Sequence, residues 1–303
     1  MSFVITTKQL SFQYGKKHAI QNFNIDINEN QIIGLIGRNG SGKTTFLKLC
    51  AGLLKPTTGE IAVFAQNPVN NLKVLEDIVF THNEVIHKAS LTLETIIEDF
   101  AMFYPYFDTS FAYRLIEYFS LSRHAKYSSL SQGMTSVFHF ICGISARASL
   151  TLLDEPVLGI DLPLRKKIYD VLLRDYMEHP RTIIISSHIL SELEELLSEF
   201  LIIDAGQVLL YKSPDEIRTM AYRVDGTKDA VSTFAANRPV LYDEYNTTGS
   251  FAVMDYPCDE AAKSDSRKLN LVISGIRPEE LYLYKTNHGK GMDIECLWEN
   301  QNL

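Results

Sequence analysis

No stretch of the 303-residue chain approaches the roughly 20 consecutive apolar residues that a membrane-crossing helix requires; the longest apolar windows, such as Val137–Ala146, are far shorter. Any work at a bilayer therefore needs spanning helices from another polypeptide. A basic surplus is also missing. Lys and Arg number 29 against 37 Asp and Glu, a net charge of −8, which argues against a generic nucleic-acid binder, although a local basic patch stays open. Cysteine is scarce. Cys50, Cys142, Cys258 and Cys296 are widely spaced and form no CxxC pair, so they read as reduced thiols of a cytosolic protein. Residues 1–10 lack a charged stretch followed by an apolar core, and no secretion leader is expected. There are no internal repeats and no sustained heptads. With 46% hydrophobic and 22% charged residues, what remains is ordinary globular material, enough for one large domain and a smaller one.

The most informative stretch that is present is Gly37-Arg38-Asn39-Gly40-Ser41-Gly42-Lys43-Thr44, directly after the apolar run Ile32–Ile36. It reads as a phosphate-binding loop between a buried strand and a helix. Glycines allow successive backbone N–H groups to turn inward on a polyphosphate, the helix directs its positive end to the same place, and Lys43 adds a full charge. Gly37, Asn39, Gly40, Gly42, Lys43, Thr44 and Thr45 are the candidate phosphate contacts, and Thr44 is a candidate Mg2+ ligand. Such a loop needs acidic partners. Leu150-Thr151-Leu152-Leu153-Asp154-Glu155-Pro156 supplies two at the end of an apolar strand. Asp154 is expected to hold the metal and Glu155 to polarise the water that attacks the terminal phosphate. No Asn-Lys-x-Asp guanine motif accompanies them.

Alternating strand material occupies 3–7 and 19–27, with a turn at Gly15-Lys16-Lys17. A strand follows at 61–64. Helical spacing dominates 91–148, then strands at 150–153, 182–185 and 200–203 alternate with helices at about 163–177 and 189–198. The pattern predicts a parallel α/β sheet interrupted by a helical insertion. A boundary is expected near 218–222. Beyond it lie short strands at 222–224, 240–242, 250–254 and 269–273 and helices at about 227–236 and 278–285, with Cys258–Lys268 read as an exposed loop.

By its motifs the chain resembles the ATP-binding-cassette family over residues 1–220. Leu130-Ser131-Gln132-Gly133-Met134 is similar to that family's signature, Leu-Ser-Gly-Gly-Gln, and it stands before the acidic strand and opens a helix. The resemblance implies a P-loop NTPase α/β domain over 1–220 with a helical subdomain at about 85–148, and a small α+β accessory domain over 221–303. It implies ATP and Mg2+ as ligands. Tyr14 would stack on adenine, and His188, after Ile185-Ser186-Ser187, would touch the γ-phosphate and hold the catalytic geometry. Asp161, in Gly159-Ile160-Asp161, falls in the subunit-contact loop. Ser131 and Gly133 would grip the γ-phosphate bound to the opposite subunit.

The sequence departs from the family pattern where a Gln normally contacts Mg2+. The corresponding stretch is Val79-Phe80-Thr81-His82-Asn83-Glu84, so Asn83 or His82 stands in. Met134 replaces the last residue of the signature, and Thr135-Ser136-Val137 stands where basic residues usually follow. The resemblance implies an ATPase subunit at the cytoplasmic face of the cell membrane. It would be a homodimer or would pair with a second ATPase, and it would drive a separate transmembrane permease, with no nucleic-acid partner. The ending Ile276–Tyr284 resembles the C-terminal extension of ABC-2 exporters of drugs, antimicrobial peptides or phenol-soluble modulins, where it dimerises or regulates. A soluble non-transport cassette ATPase and a weakly hydrolysing regulatory subunit are the competing readings.

Overall fold

The computed structural model describes residues 2–82, 87–187, 196–245 and 249–286. The chain divides into two compact units, Met1–Tyr211 and Lys212–Leu303. The division falls before the short helix at 214–220, earlier than the composition break at 218–222.

In the first unit Phe3–Tyr14 (β1) and Lys17–Asn28 (β2) form a hairpin turning at Gly15. Strand β2 alternates strictly through its middle: Phe23, Ile25 and Ile27 are buried while Asn24 and Asp26 are exposed, the mark of a sheet with one face in the core. Ile32–Ile36 (β3) leads to Lys43–Cys50 (α1), then Thr58–Val63 (β4), Leu72–Leu75 (α2) and Ile78–His82 (β5). Strands β2, β1 and β4 make an antiparallel sheet. Helix α1 buries Phe46, Leu47, Leu49 and Cys50, and the Phe46 ring lies 4.8 Å from that of Phe23.

The insertion follows as Leu93–Phe103 (α3), Thr109–Tyr118 (α4) and Gln132–Ser145 (α5). Thr92 and Asp108 cap the first two, accepting from the backbone N–H groups of Thr95 and Phe111 at 3.2 and 2.8 Å. From Ser136 to Ser145 helix α5 is buried on all sides, as expected of a helix enclosed by its neighbours.

Leu150–Asp154 (β6), Leu162–Glu178 (α6), Thr182–Ser187 (β7), Glu199–Asp204 (β8) and Gln207–Lys212 (β9) complete the first unit. The large sheet has the order β5-β6-β7-β3-β8-β9 and is parallel from β5 to β8. Strands β3, β6 and β7 are buried at every residue, which is why they read as continuous rather than alternating runs. Strands β5 and β9 escape the sequence reading. Both are short and mixed in polarity, and pairing with a neighbour defines them. Of the helix expected at 189–198, residues 189–195 lie outside the described residues.

The insertion is tied to the sheet by buried charge. Arg181, just before β7, reaches Asp175 Oδ2 on α6 at 2.7 Å and the carbonyl of Ile144 near the end of α5 at 3.3 Å. Arg147 pairs with Asp175 and with Asp108, the cap of α4.

The second unit comprises Pro214–Met220 (α7), Tyr222–Gly226 (β10), Lys228–Ala235 (α8), Val240–Tyr245 (β11), Ser250–Met254 (β12), Glu260–Lys268 (α9), Val272–Gly275 (β13) and Pro278–Lys285 (α10). The antiparallel order β11-β12-β10-β13 with the chain order βαββαβ is a ferredoxin-like arrangement. The loop expected at Cys258–Lys268 is corrected here, because 260–268 is helix α9. Asp259 caps it, accepting from the Ala262 N–H at 2.7 Å, and only Ala262 and Ser266 are buried. A helix that presents small residues to its sheet leaves almost no hydrophobic period to read.

Candidate functional site

The loop joining β3 to α1 owes its path to its glycines. Gly40 and Gly42 have φ of 82° and 111°, a region other L-residues rarely enter. A Cβ at Gly37 would lie 2.3 Å from Ser41 Oγ and 2.4 Å from the carbonyl of Ile203. From the other side the β8–β9 turn braces the loop, where the Gly206 N–H donates to the carbonyl of Ser41 at 2.9 Å.

Lys43 is buried, with 6% of its surface exposed. Its ammonium donates to the carbonyls of Gly37 at 2.7 Å and Arg38 at 3.4 Å and stands 3.8 Å from Glu155 Oε1. Thr44 Oγ1 donates to Asp154 Oδ2 at 2.6 Å. The two acids sit where β6 ends, one strand removed from β3 across β7, and strand register puts Asp154 level with Ser186 of β7 and His82 of β5. Ser186 was not a sequence candidate. Its hydroxyl donates to Asp154 Oδ1 and accepts the Glu155 N–H, the latter at 2.9 Å. Hydroxyl residues closing a buried strand, Ser186 and Ser187 after Ile183–Ile185, are the signal that could have found it, since buried polar groups are paired.

Tyr14 is half exposed, packs edge-on against Phe12 at 4.8 Å between ring centroids, and shares the lining of one cleft with Lys17, Arg38, Asn39, Gly40, Gly42, Lys43, Thr44, Thr45 and Glu155. Ser131 caps α5, accepting from the Met134 N–H at 3.3 Å, and is itself exposed. Gly133 abuts the loop after β6, with the carbonyl of Gly159 2.8 Å from where a Cβ would stand, and Ser136 Oγ donates to the carbonyl of Leu158 at 2.8 Å. Asp161 caps α6 through the Leu164 N–H at 3.3 Å. Neither Ser131 nor Gly133 is among the described residues lining the Tyr14 to Glu155 cleft. Asn83 and His188 lie outside the described residues. His82 stacks on Phe80 with ring centroids 4.9 Å apart.

Behind β5, His139 of α5 meets Tyr127 Oη at 3.2 Å and has the ring of His87 centred 6.0 Å away. Burial, with the charges of His87 and His82 adding to it, pulls the His139 pKa down to about 4. Burial also lowers that of His87. The thiols of Cys50 and Cys142 are pushed up by burial, which leaves them inert.

The donor set fits a magnesium polyphosphate. Ser41 Oγ is buried and lacks a hydrogen-bond partner among the described residues, Gly40 leaves open space around its backbone, and Thr44 with Asp154 offers the hard oxygens that Mg2+ prefers. A parallel sheet whose strand ends bring together a glycine loop, a buried lysine and paired acids defines a P-loop ATP-binding cassette. A family model described as ABC transporter matches residues 20–158. The bacitracin transport ATP-binding protein BcrA of Bacillus licheniformis is 32% identical over 212 residues, covering 69% of each chain. Its namesake from Enterococcus faecalis is 30% identical over 258 residues, covering 84% of this chain and 83% of that protein. The ATP-binding protein YtrB of Bacillus subtilis is 26% identical over 289 residues, covering 93% and 98%. Among solved structures, an ATP-binding subunit of an ABC transporter superposes with a TM-score of 0.64 at 24% identity over 71% of this chain and 92% of that one. A dimeric post-hydrolysis cassette bound to ADP and Pi gives 0.60 at 20% identity over 69% and 98%. The chain belongs to the ABC transporter family of ATP-binding proteins, and it is an ATPase of that family.

Proposed function

We propose that the chain hydrolyses Mg-ATP at a site completed by a second cassette, and that this drives an exporter's separate transmembrane subunit. The observation that carries the reading is the convergence on Asp154, where Thr44 from the phosphate loop and Ser186 from β7 each hold one carboxylate oxygen next to Glu155. In this reading the loop N–H groups and Lys43 bind the β- and γ-phosphates, and Tyr14 stacks on adenine. Thr44 and Asp154 would hold Mg2+, whose charge offsets that of the phosphates when it is bound. Glu155 takes the proton of the attacking water. His188 and Asn83 would complete the cluster at the γ-phosphate and metal.

Ser131 and Gly133 are separated from the cleft lining of their own chain and exposed or half-buried. That supports a γ-phosphate contact given to a second subunit, so that ATP joins two cassettes and hydrolysis parts them. Asp161 would contribute to the same seam.

Among the described residues no helix is long and apolar enough to cross a membrane. A groove beside β5, lined by Leu72, Leu75, Phe80, Ile96, Phe100 and Phe103 together with Glu76 and Asp99, is the natural seat for the permease. Leu72 and Phe103 are 81% and 77% exposed there, an apolar patch of the kind that marks a partner surface. The BcrA relatives are named for bacitracin transport, which supports a transport role for this chain.

The test is Mg-ATP turnover against protein concentration, beside Glu155→Gln. Turnover that rises faster than linearly, together with an inactive variant that elutes as a dimer in ATP, is the expected result. A Glu155→Gln protein that binds ATP yet stays monomeric sinks the shared-site reading.

A further inference from the structure

Ser186 has no exposed surface, and it sits on β7 between the strand that carries the phosphate loop and the strand that carries the acids. A hydroxyl there has one proton to give and lone pairs to receive. The proton goes to Asp154 Oδ1, and the Glu155 N–H is received at 2.9 Å. The other Asp154 oxygen takes the Thr44 proton at 2.6 Å. The carboxylate is thus held at both ends, which fixes its side-chain torsion. Strand alternation turns the neighbouring Ser187 to the opposite face, so it cannot take over the role.

Glu155 itself has a φ of 50°, left-handed and unusual for a residue with a side chain. The Ser186 hydroxyl holds the N–H of that residue, and its carboxylate lies 3.8 Å from the Lys43 ammonium. Without the hydroxyl, the Glu155 N–H and Asp154 Oδ1 both lose a buried partner.

We propose that Ser186 is the positioning residue of the hydrolytic site, a single hydroxyl that aligns the metal-binding Asp154 and the backbone of the base Glu155 together. The proposal rests on the reading of Asp154 and Glu155 in the preceding subsection. It predicts that metal binding and turnover fall in step while nucleotide binding without metal does not.

The experiment compares Ser186→Ala, Ser186→Thr and Glu155→Gln in three measurements. These are steady-state kinetics, binding of a fluorescent ATP analogue in EDTA, and Mn2+ binding in the presence of ADP by electron paramagnetic resonance. Ser186→Ala should lower kcat about 10- to 100-fold and Mn2+ affinity about tenfold, the range for partners that orient metal ligands. Metal-free nucleotide affinity should stay at the wild-type level while KM for Mg-ATP rises with the lost metal affinity, and Ser186→Thr, which keeps the hydroxyl, should recover these losses.

Wild-type kcat and Mn2+ affinity in Ser186→Ala would overturn the proposal. So would loss of metal-free nucleotide binding, which signals collapse of the site, or a Thr variant as damaged as the Ala variant. A Glu155→Gln protein that turns over like the wild type would instead remove the role given to Glu155, and the Mn2+ measurement would still judge Ser186 on Asp154.

Discussion

Two single residues show how closely the local physics binds this chain. At Gly37 the hydrogen stands where any Cβ would meet Ser41 Oγ at 2.3 Å and the backbone of Ile203 at 2.4 Å. Gly37→Ala therefore has to displace the phosphate loop, and backbone is costly to move. The expected outcome is ATP affinity lowered by at least about tenfold, with overpacking costing about 1–3 kcal/mol of stability, measured by nucleotide titration and urea unfolding. His139 is the second case. Its folded pKa, about 4, lies below the ordinary value of 6.5, so between those values the unfolded chain takes a proton that the folded chain refuses. Stability is complete above pH 6.5 and falls as pH drops toward 4, by about 3 kcal/mol from this residue. His87, lowered in the same direction, adds to the slope. In His139→Gln, whose amide can still meet Tyr127, the pH dependence of urea midpoints between 7 and 4 should flatten.

The elements depend on junctions more than on propensity. Helix α5 carries the signature at its N-terminal end, and at its C-terminal end the carbonyl of Ile144 is held by Arg181, whose carboxylate partner Asp175 is 2% exposed. Asp175 also receives Arg147, so one carboxylate bridges two guanidinium groups between α6 and the insertion, and Asp108 is the second acidic partner of Arg147. Removing Asp175 takes the carboxylate partner of Arg181 out of a poorly solvated junction and leaves Arg147 with Asp108 alone. Asp175→Asn should cost about 3–5 kcal/mol in urea unfolding, the range for breaking a buried pair from one side. The simultaneous replacement of Asp175, Arg147 and Arg181 by apolar residues of similar size should cost less than that single change.

For the whole molecule, the proposed function divides the site between loops that one chain does not bring together. The cleft from Tyr14 to Glu155 takes its lining from β1, the phosphate loop and the end of β6, while Ser131 and Gly133 belong to the start of α5. The expected consequence is kinetic. Specific activity should rise with protein concentration, and mixing a Lys43→Ala chain with a Ser131→Ala chain should restore part of the turnover that each lacks alone. Each mixed pair holds one intact half-site of either kind, and ATPase assays of the mixture against its components check this.

What could be read from the amino-acid order alone was whatever rests on chain-local physics. The glycine spacing of the phosphate loop, the acids closing an apolar strand and the buried runs at 150–153 and 182–185 each declare themselves within a few residues, because steric freedom and burial act over that range. The family, the P-loop α/β fold and the ATPase activity followed from those motifs. Tertiary structure decided the rest. Strands β5 and β9 exist by pairing, α9 hides its helical period behind Ala262 and Ser266, and the spatial order β11-β12-β10-β13 of the second unit emerges only from which strands meet. Ser186 is the clearest case. In the sequence it is one of two serines before a histidine, and only the register of β6 against β7 sets its hydroxyl between Asp154 and Glu155. A hydrogen bond between residues 31 positions apart leaves no periodic trace in the chain that makes it.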